Sequence, residues 1–593
     1  MAQTTESGNS EIELNTVQVV DKRFSTPLNQ LGRSALIIGE RAIQDMPIQS
    51  VSQLLSHQAG IDVRQRGVNG VQADIGIRGA GFDQSLILLN GVKLSDPQTG
   101  HHLMSLPVGP MGLSKVEIFK STGARHYGAN AFAGVINLIS KPSEKSGIKG
   151  DVYAADFGSF GTDLIMDYKD GDWAHRIQGG YHRSDGYRYN TDYQIGTFMY
   201  IGQLATSKGQ WEGQIAYSSR AFGANGFYAS EQFTDQWEQV STALGSLSYA
   251  YQSGDWNHKY LMYHRSNRDH YLLVRNNPSV FENRHRSEVT GGEYHVSIKT
   301  GSVETAAGME LRREYLNSTN LGIHERYVTG VFLEQRYSWN RWGLSPGVYV
   351  NYFSDAGMQW YPGIEANFKL SGNQNLFANA TRSFRLPTYT DLYYIGPTNI
   401  GNVDLRPENA WNYEIGWRYQ QSGSSLEMSV WRRSTNDLID WVRASSGDVW
   451  RPVNFIQVDM TGMDIHYVIR PQEWMTKNKS IISSWAIGYS YILADYTEDE
   501  ALLSRYALNN LRHQLNSQIN LQYTGKIEHQ ISIRYADRVS LEDYWVVDSR
   551  LSYRINKGRL YLEANNIFDV MYRETDLVPM PGRWIKGGWQ FQF

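Results

Sequence analysis

Strict alternation of apolar and polar residues through most of the chain, tight-turn signals at regular intervals and a last strand ending on an aromatic residue predict a transmembrane β-barrel. About 22 antiparallel strands are expected, with an N-terminal α/β plug domain inside the lumen. The alternation runs from Pro142 to the carboxyl terminus. Trp173, His175, Ile177, Gly179 and Tyr181 are set against Ala174, Arg176, Gln178, Gly180 and His182. Further on, Leu515, Ser517, Ile519 and Leu521 face away from Asn516, Gln518, Asn520 and Gln522. A period of two places one set on each side of a sheet.

Turn signals fall at Asp170-Gly171, Lys208-Gly209, Gly254-Asp255, Gly301-Ser302, Asn340-Arg341, Gly372-Asn373, Ser422-Gly423, Lys477-Asn478, Gly525-Lys526 and Lys557-Gly558. Each interval holds two strands of about 10 residues and one longer polar loop, the asymmetry of a barrel with turns at one end and loops at the other. These ten turns join eleven hairpins, hence the strand number. The final segment, Ile585 to Phe593, is apolar at every second residue and ends in an aromatic ring.

Composition agrees. The 593 residues contain 38 Tyr, 17 Trp and 55 Gly, and Tyr and Trp suit the interfacial girdles of a barrel. A soluble propeller or sandwich shares this richness, so motifs must decide. Mean hydropathy is -0.47, which a barrel tolerates because half of each strand faces a polar lumen. No apolar run is long enough for a spanning helix. With 56 Lys+Arg against 60 Asp+Glu there is no basic footprint for nucleic acid. Cysteine is absent, which removes disulfides and thiolate metal sites. The opening MAQTTESGNS lacks the charged and apolar parts of a secretory signal, as expected of a mature chain with an added or retained Met.

Residues 1–20 read as a flexible N-terminus. Within it Leu14, Asn15, Thr16, Val17, Gln18, Val19 and Val20 have strong β propensity, isolated between polar flanks. Such a segment can add as a strand to another protein's sheet edge. Residues 21–141 are mixed α/β: a helix over Met46 to Ala59 opened by Pro47 and stopped by Gly60, and short strands at Leu86–Leu89 and Val116–Phe119. Residues 142–593 form the barrel.

The second region carries Ile77-Arg78-Gly79, Leu86 to Val92, Val116 to Lys120, and Tyr127 to Asn137 in order. Together these strings resemble the plug of TonB-dependent receptors. Arg78, Glu117 and Lys120 are charges able to pair with one another or with the barrel wall. Phe384-Arg385-Leu386-Pro387, Asn402 to Glu408 and Asn565-Asn566-Ile567-Phe568-Asp569 resemble barrel motifs of the family's cobalamin, haem and siderophore branches. The resemblance implies a bacterial outer-membrane location, TonB as partner, and active transport of a large scarce nutrient. It places Leu14 to Val20 where the family keeps its TonB box.

Asp437 to Trp441 and Asn454 resemble sequences of the cobalamin branch, so cobalamin or another corrinoid is the expected cargo; haem or ferric-siderophore uptake is the alternative. A haem receptor needs His or Tyr as axial ligand. Thr388 to Gly401 offers Tyr389, Tyr393 and Tyr394 but no His, and His101 and His102 lie in a plug loop where they could ligate iron, contact cargo or be solvated. The cargo contacts expected are Arg66, Asn69, Gln72, Ser95, His101 and His102 of the plug with Tyr187, Tyr189, Phe227, Tyr228, Tyr393 and Tyr394 of the loops. No cofactor is required. Calcium, which orders outer loops in cobalamin receptors of this family, would fall to Asp185, Asp192, Asp235 and Glu238, with Asn190 and Glu231 nearby. The chain's style is also similar to Bacteroidetes-type cobalamin receptors, which work with a surface lipoprotein that captures ligand. An enzyme is not expected: no G-x-S-x-G elbow, H-E-x-x-H or P-loop is present. A passive porin would need an open lumen and no large insert.

Overall fold

The computed structural model of the 593-residue chain describes residues 18–20, 25–228, 233–445, 447–473, 480–496, 503–505, 509–575 and 577–593. Among them 22 long strands, from Gly147–Ala155 to Trp584–Gln592, pair each with the next, antiparallel, and close into a barrel. The closing pair runs from Lys149 opposite Gln592 to Ala155 opposite Lys586. The terminal residue takes part: Phe593 N donates to Ile148 O at 2.9 Å and Ile148 N to Phe593 O at 3.1 Å.

Nine of the ten turn signals fall in short connections at one end of the barrel, for instance between Thr206 and Gly209 and between Ile555 and Gly558. The tenth, Lys477-Asn478, lies outside the described residues. The longest connections, such as residues 386–407 and 566–583, stand at the other end.

Burial on the strands is inverted relative to a soluble sheet. On Gly209–Gly223, Ile215 and Tyr217 are 57% and 48% exposed, whereas Gln214 and Ser218 are 3% and 0% exposed. Apolar side chains turned outward on a closed cylinder are stable only against lipid. Rings gather near the turn end: Trp211 stacks on Tyr249 at 4.3 Å, Tyr251 on His258 at 4.7 Å and Tyr260 on Tyr294 at 4.8 Å. Amphipathic rings collect where lipid meets water.

The plug holds a five-stranded sheet in the order Ala35–Gly39, Lys115–Phe119, Gly134–Ile139, Ser85–Leu89, Val92–Lys93. One pairing is parallel, Ser85–Leu89 with Gly134–Ile139. Asn90 and Gly91 have φ of 51° and 81°, as a tight two-residue hairpin turn requires. A second hairpin, Ile61–Arg66 with Gln72–Ile77, stands apart from the sheet. Three short helices accompany them, the last over Ala124–Tyr127. The expected helix is confined to Val51–Ser56, because Ser50 and not Pro47 caps it, accepting from Gln53 N at 3.2 Å. A six-residue helix over Glu40–Asp45 precedes it and was not expected. In the loop end of the barrel Tyr389–Tyr393 forms one helical turn, closed by a capping box between Thr388 and Asp391.

Of the segment Leu14 to Val20, the part up to Val17 lies outside the described residues. Gln18–Val20 is a strand, but it is paired with Ser25–Pro27 and not isolated.

Plug and wall share apolar clusters, one joining Leu103, Met104 and Leu106 with Met199, Ile201 and Leu244, and they also meet through buried charge. Arg78 reaches Glu414 at 2.6 Å and Asp464 at 2.7 Å; Arg125 reaches Glu334 at 2.9 Å and Glu365 at 2.8 Å; Lys93 reaches Glu310 at 2.7 Å. Arg78 thus pairs with the wall, while Glu117 stays inside the plug, with Lys115 at 2.7 Å.

Candidate functional site

Two plug turns, Phe82–Gln84 and Gly100–His102, rise toward the loop end of the barrel. They pack directly on each other: a Cβ on Gly100 would stand 2.0 Å from Asp83 Oδ1. Above them lies a pocket of about 1100 Å³, counting its open mouth. Its aromatic wall includes Phe82, Tyr228, Tyr271, Phe281, Tyr394 and Trp441.

The motifs behind the branch resemblance meet at this wall. Trp441 Nε1 donates to Asp391 Oδ1 at 2.9 Å. Arg385 binds Glu408 at 2.9 Å and reaches Asp83 of the plug at 3.2 Å. Arg406 pairs with Asp437 at 2.6 Å, and its N–H donates to Asn454 Oδ1 at 2.8 Å. These strings therefore build one loop corner that frames the pocket.

The adjacent histidines diverge. His101 lies flat on Phe82, ring centroids 4.2 Å apart, with Nδ1 2.7 Å from Asp74 Oδ1. Burial holds His101 below its ordinary pKa, more than Asp74 draws it up. Asp74 is itself buried, which opposes its ionisation, but Arg66 and His101 hold its carboxyl far below the usual range. His102 points to the wall, Nε2 3.3 Å from Asp269 Oδ2. Burial would lower it, yet the Asp269 carboxylate prevails and its pKa stands at about 9. Burial also pushes the Asp83 carboxyl up to about 7, against the pull of Arg385.

Of the residues expected to meet cargo, His101, His102, Tyr228 and Tyr394 line the pocket, and Ser95 lines a smaller cleft beside it. The others do not line it. Arg66 is sealed against Asp74 at 2.5 Å, and Asn69 Nδ2 donates to Tyr193 at 2.5 Å. Gln72 is buried within its hairpin. Phe227 packs with Val68, Phe222 and Met580, flanked by Tyr187, whose hydroxyl donates to Pro579 O at 2.7 Å. Tyr189 is turned to solvent and donates to Asp235 at 2.5 Å, and Tyr393 stacks on His324 at 4.0 Å.

The carboxylates expected to share calcium are not gathered. Asp192 is engaged by both terminal nitrogens of Arg275, at 2.7 and 2.9 Å, and Asp235 accepts from Tyr189. Asp185 is largely exposed, 4.0 Å from Arg183. Glu238 leaves this group altogether and enters the pocket, where its carboxylate accepts from Tyr228 at 2.5 Å. Glu231 lies outside the described residues. Sequence reasoning missed Asp83, Gln98, Asp269, His285, Asp391 and Arg505. Asp391 carried a signal, as the last member of a Thr-x-x-Asp cap. Asp269 and His285 sit on strands as ordinary inward-facing polar residues.

Residues 159–567 match the family described as TonB dependent receptor-like, beta-barrel, and residues 27–135 match the TonB-dependent Receptor Plug Domain. The chain is 25% identical over 494 residues to a vitamin B12 transporter, BtuB, of Vibrio vulnificus strain CMCP6, covering 77% of this chain and 75% of that one. With its counterpart in strain YJ016 the identity is 23% over 592 residues, covering 95% and 92%. In structure it is similar to the siderophore receptor PirA from Pseudomonas aeruginosa, with TM-score 0.75 and 16% identity over 94% of this chain and 99% of that one. The FrpB iron transporter from Neisseria meningitidis gives TM-score 0.78 at 13% identity, over 95% and 100%. Those identities carry the fold alone. A lipid-facing barrel sealed by a charge-docked plug, matched along most of its length by both family profiles, makes this chain a member of the TonB-dependent receptors, the transporters of the bacterial outer membrane.

Proposed function

We propose that the cargo is cobalamin or a related corrinoid. The observation that carries this reading is the character of the pocket. Four carboxyl groups, Asp83, Glu238, Asp269 and Asp391, line it together with Arg505 and the imidazoles of His101, His102 and His285. A ferric siderophore of the catecholate kind is strongly anionic and would find only Arg505 and His102 as cationic partners there. A corrin presents a broad apolar face and a rim of carboxamide N–H donors. The faces suit the aromatic wall, and the donors suit carboxylate acceptors. Relatives described as vitamin B12 transporters, matched over nearly the whole chain, support the same assignment.

TonB supplies the work, since an outer membrane holds no ATP. Leu14 to Val20 is the segment we assign to it, joined by β-augmentation, with Gln18–Val20 released from Ser25–Pro27 or extended at its free edge. Equilibrium titration of the purified receptor with cyanocobalamin, haemin and a ferric catecholate siderophore tests the cargo. Cyanocobalamin is expected to bind at least tenfold more tightly than either competitor; haemin binding without cobalamin binding overturns the assignment.

A further inference from the structure

Beneath the aromatic wall three ligand atoms converge from separate parts of the chain. His102 comes from the plug turn, Glu238 from the strand Trp237–Ser253 and Asp269 from the strand Trp256–Leu272. One nitrogen or oxygen of each lies within 4.8 Å of the other two, and all three residues are buried. Among the described residues this is the one such trio.

Two carboxylates this close in a buried site repel unless a cation or a shared proton stands between them. The surroundings supply few donors. Gln98 Nε2 donates to Asp269 Oδ2 at 3.1 Å, and Tyr228 donates to Glu238 Oε2. Asp269 Oδ1 and Gln98 Oε1, both buried, find no donor among the described residues. His285 closes the group, its Nε2 4.0 Å from Asp269 Oδ2 and its Nδ1 held by Ser318 Oγ at 2.7 Å.

We propose that His102, Glu238 and Asp269 hold one divalent transition-metal ion of the zinc class, bridging plug and barrel at the floor of the pocket. Tetrahedral zinc with bonds of about 2.1 Å sets its ligand atoms about 3.4 Å apart. His102 Nε2 and Asp269 Oδ2 stand at 3.3 Å, so only Glu238 has to swing inward. The donor set selects the ion. An imidazole with two carboxylates suits zinc and its neighbours, whereas calcium and magnesium prefer oxygen alone. Gln98 and Tyr228 are the outer contacts that orient the two carboxylates, and His285 Nε2 is placed to become a fourth ligand. The site stands on this geometry and does not depend on which cargo is carried.

Its position gives it a use. One ligand belongs to the plug and two to the wall, so an occupied site fastens the plug turn Gly100–His102 to the barrel directly below the cargo. Cargo that disturbs Tyr228, which touches both the pocket and Glu238, would loosen that fastening from above.

The full receptor in detergent, stripped with chelator and free of cargo, should bind one equivalent of zinc in isothermal titration. Cobalt(II) should give the intense visible bands of a four-coordinate ion, and zinc should displace it while excess calcium does not. His102→Gln and Asp269→Asn should each weaken zinc at least tenfold, and His101→Gln should leave it unchanged. The cobalt spectrum of the unmodified protein stands even if a variant misfolds. Absence of stoichiometric zinc binding, a six-coordinate cobalt spectrum, or equal loss in His101→Gln would overturn the proposal.

Discussion

Asp62 lies between two guanidiniums, Arg538 of the wall at 2.5 Å and Arg64 of its own hairpin at 3.1 Å. Burial opposes its ionisation, but the two arginines hold its carboxyl at about 2, below the ordinary 3.8. A depressed acid adds stability that is complete above its unfolded value and is lost as pH falls through its folded value. Docking of the hairpin Ile61–Ile77 should therefore be constant from neutral pH to about 4.5 and weaken between about 4 and 2. Amide exchange in that hairpin measures it: Asp62→Asn should lower protection at neutral pH and flatten the acid limb, and an unchanged acid limb would assign the effect to other acids. At this scale the sequence is least legible. The pair His101-His102 could be singled out, yet nothing in adjacency says that one ring turns to Asp74 and the other to Asp269. Asp269 and Glu238, 31 positions apart in the chain, become neighbours only through the register of two strands, in which Glu238 faces Tyr271.

A strand of this barrel has two incompatible environments one residue apart. On Gly209–Gly223, Ile215 faces lipid near the middle of the strand, while Gln210 lies on the lumen side near the turn. Ile215→Lys should cost about 2–4 kcal/mol, the penalty of a cation at the bilayer midplane, and Gln210→Lys should stay within about 0.5 kcal/mol. Urea unfolding in lipid vesicles compares them; equal costs would mean that the outer face is not in lipid. This two-sidedness is why the elements were readable. A period of two persists over strands of 8 to 20 residues, and turn residues mark nearly every reversal at one end. Helices were less so. Val51–Ser56 and Glu40–Asp45 are six residues each, under two turns, too short for a helical period to stand out from the strands around them. The cap at Ser50 was the better guide, and Pro47 misled because it sits in the extended approach to it.

At the scale of the whole molecule paired charge is a large part of what docks the plug, beside the apolar clusters it shares with the wall. Buried pairs add little net stability compared with apolar packing, because each ion has given up its hydration. Their docking is thus specific without being strongly adhesive, and water entering the seam restores much of what is lost when a pair parts. Uptake should then fail when the coupling segment is missing even though cargo binding is intact. Deletion of Leu14 to Val20 is expected to leave cyanocobalamin binding to whole cells unchanged and to abolish accumulation; full accumulation would remove that segment from the mechanism.

Within the five-stranded plug sheet the first strand in the chain, Ala35–Gly39, has among the described residues one partner, Lys115–Phe119, and forms an outer margin. A tow-line attached ahead of it loads that margin first. A seam opened from its border yields stitch by stitch, so the tension needed at any moment is that of a single ladder, and each stitch released lengthens the line for the next.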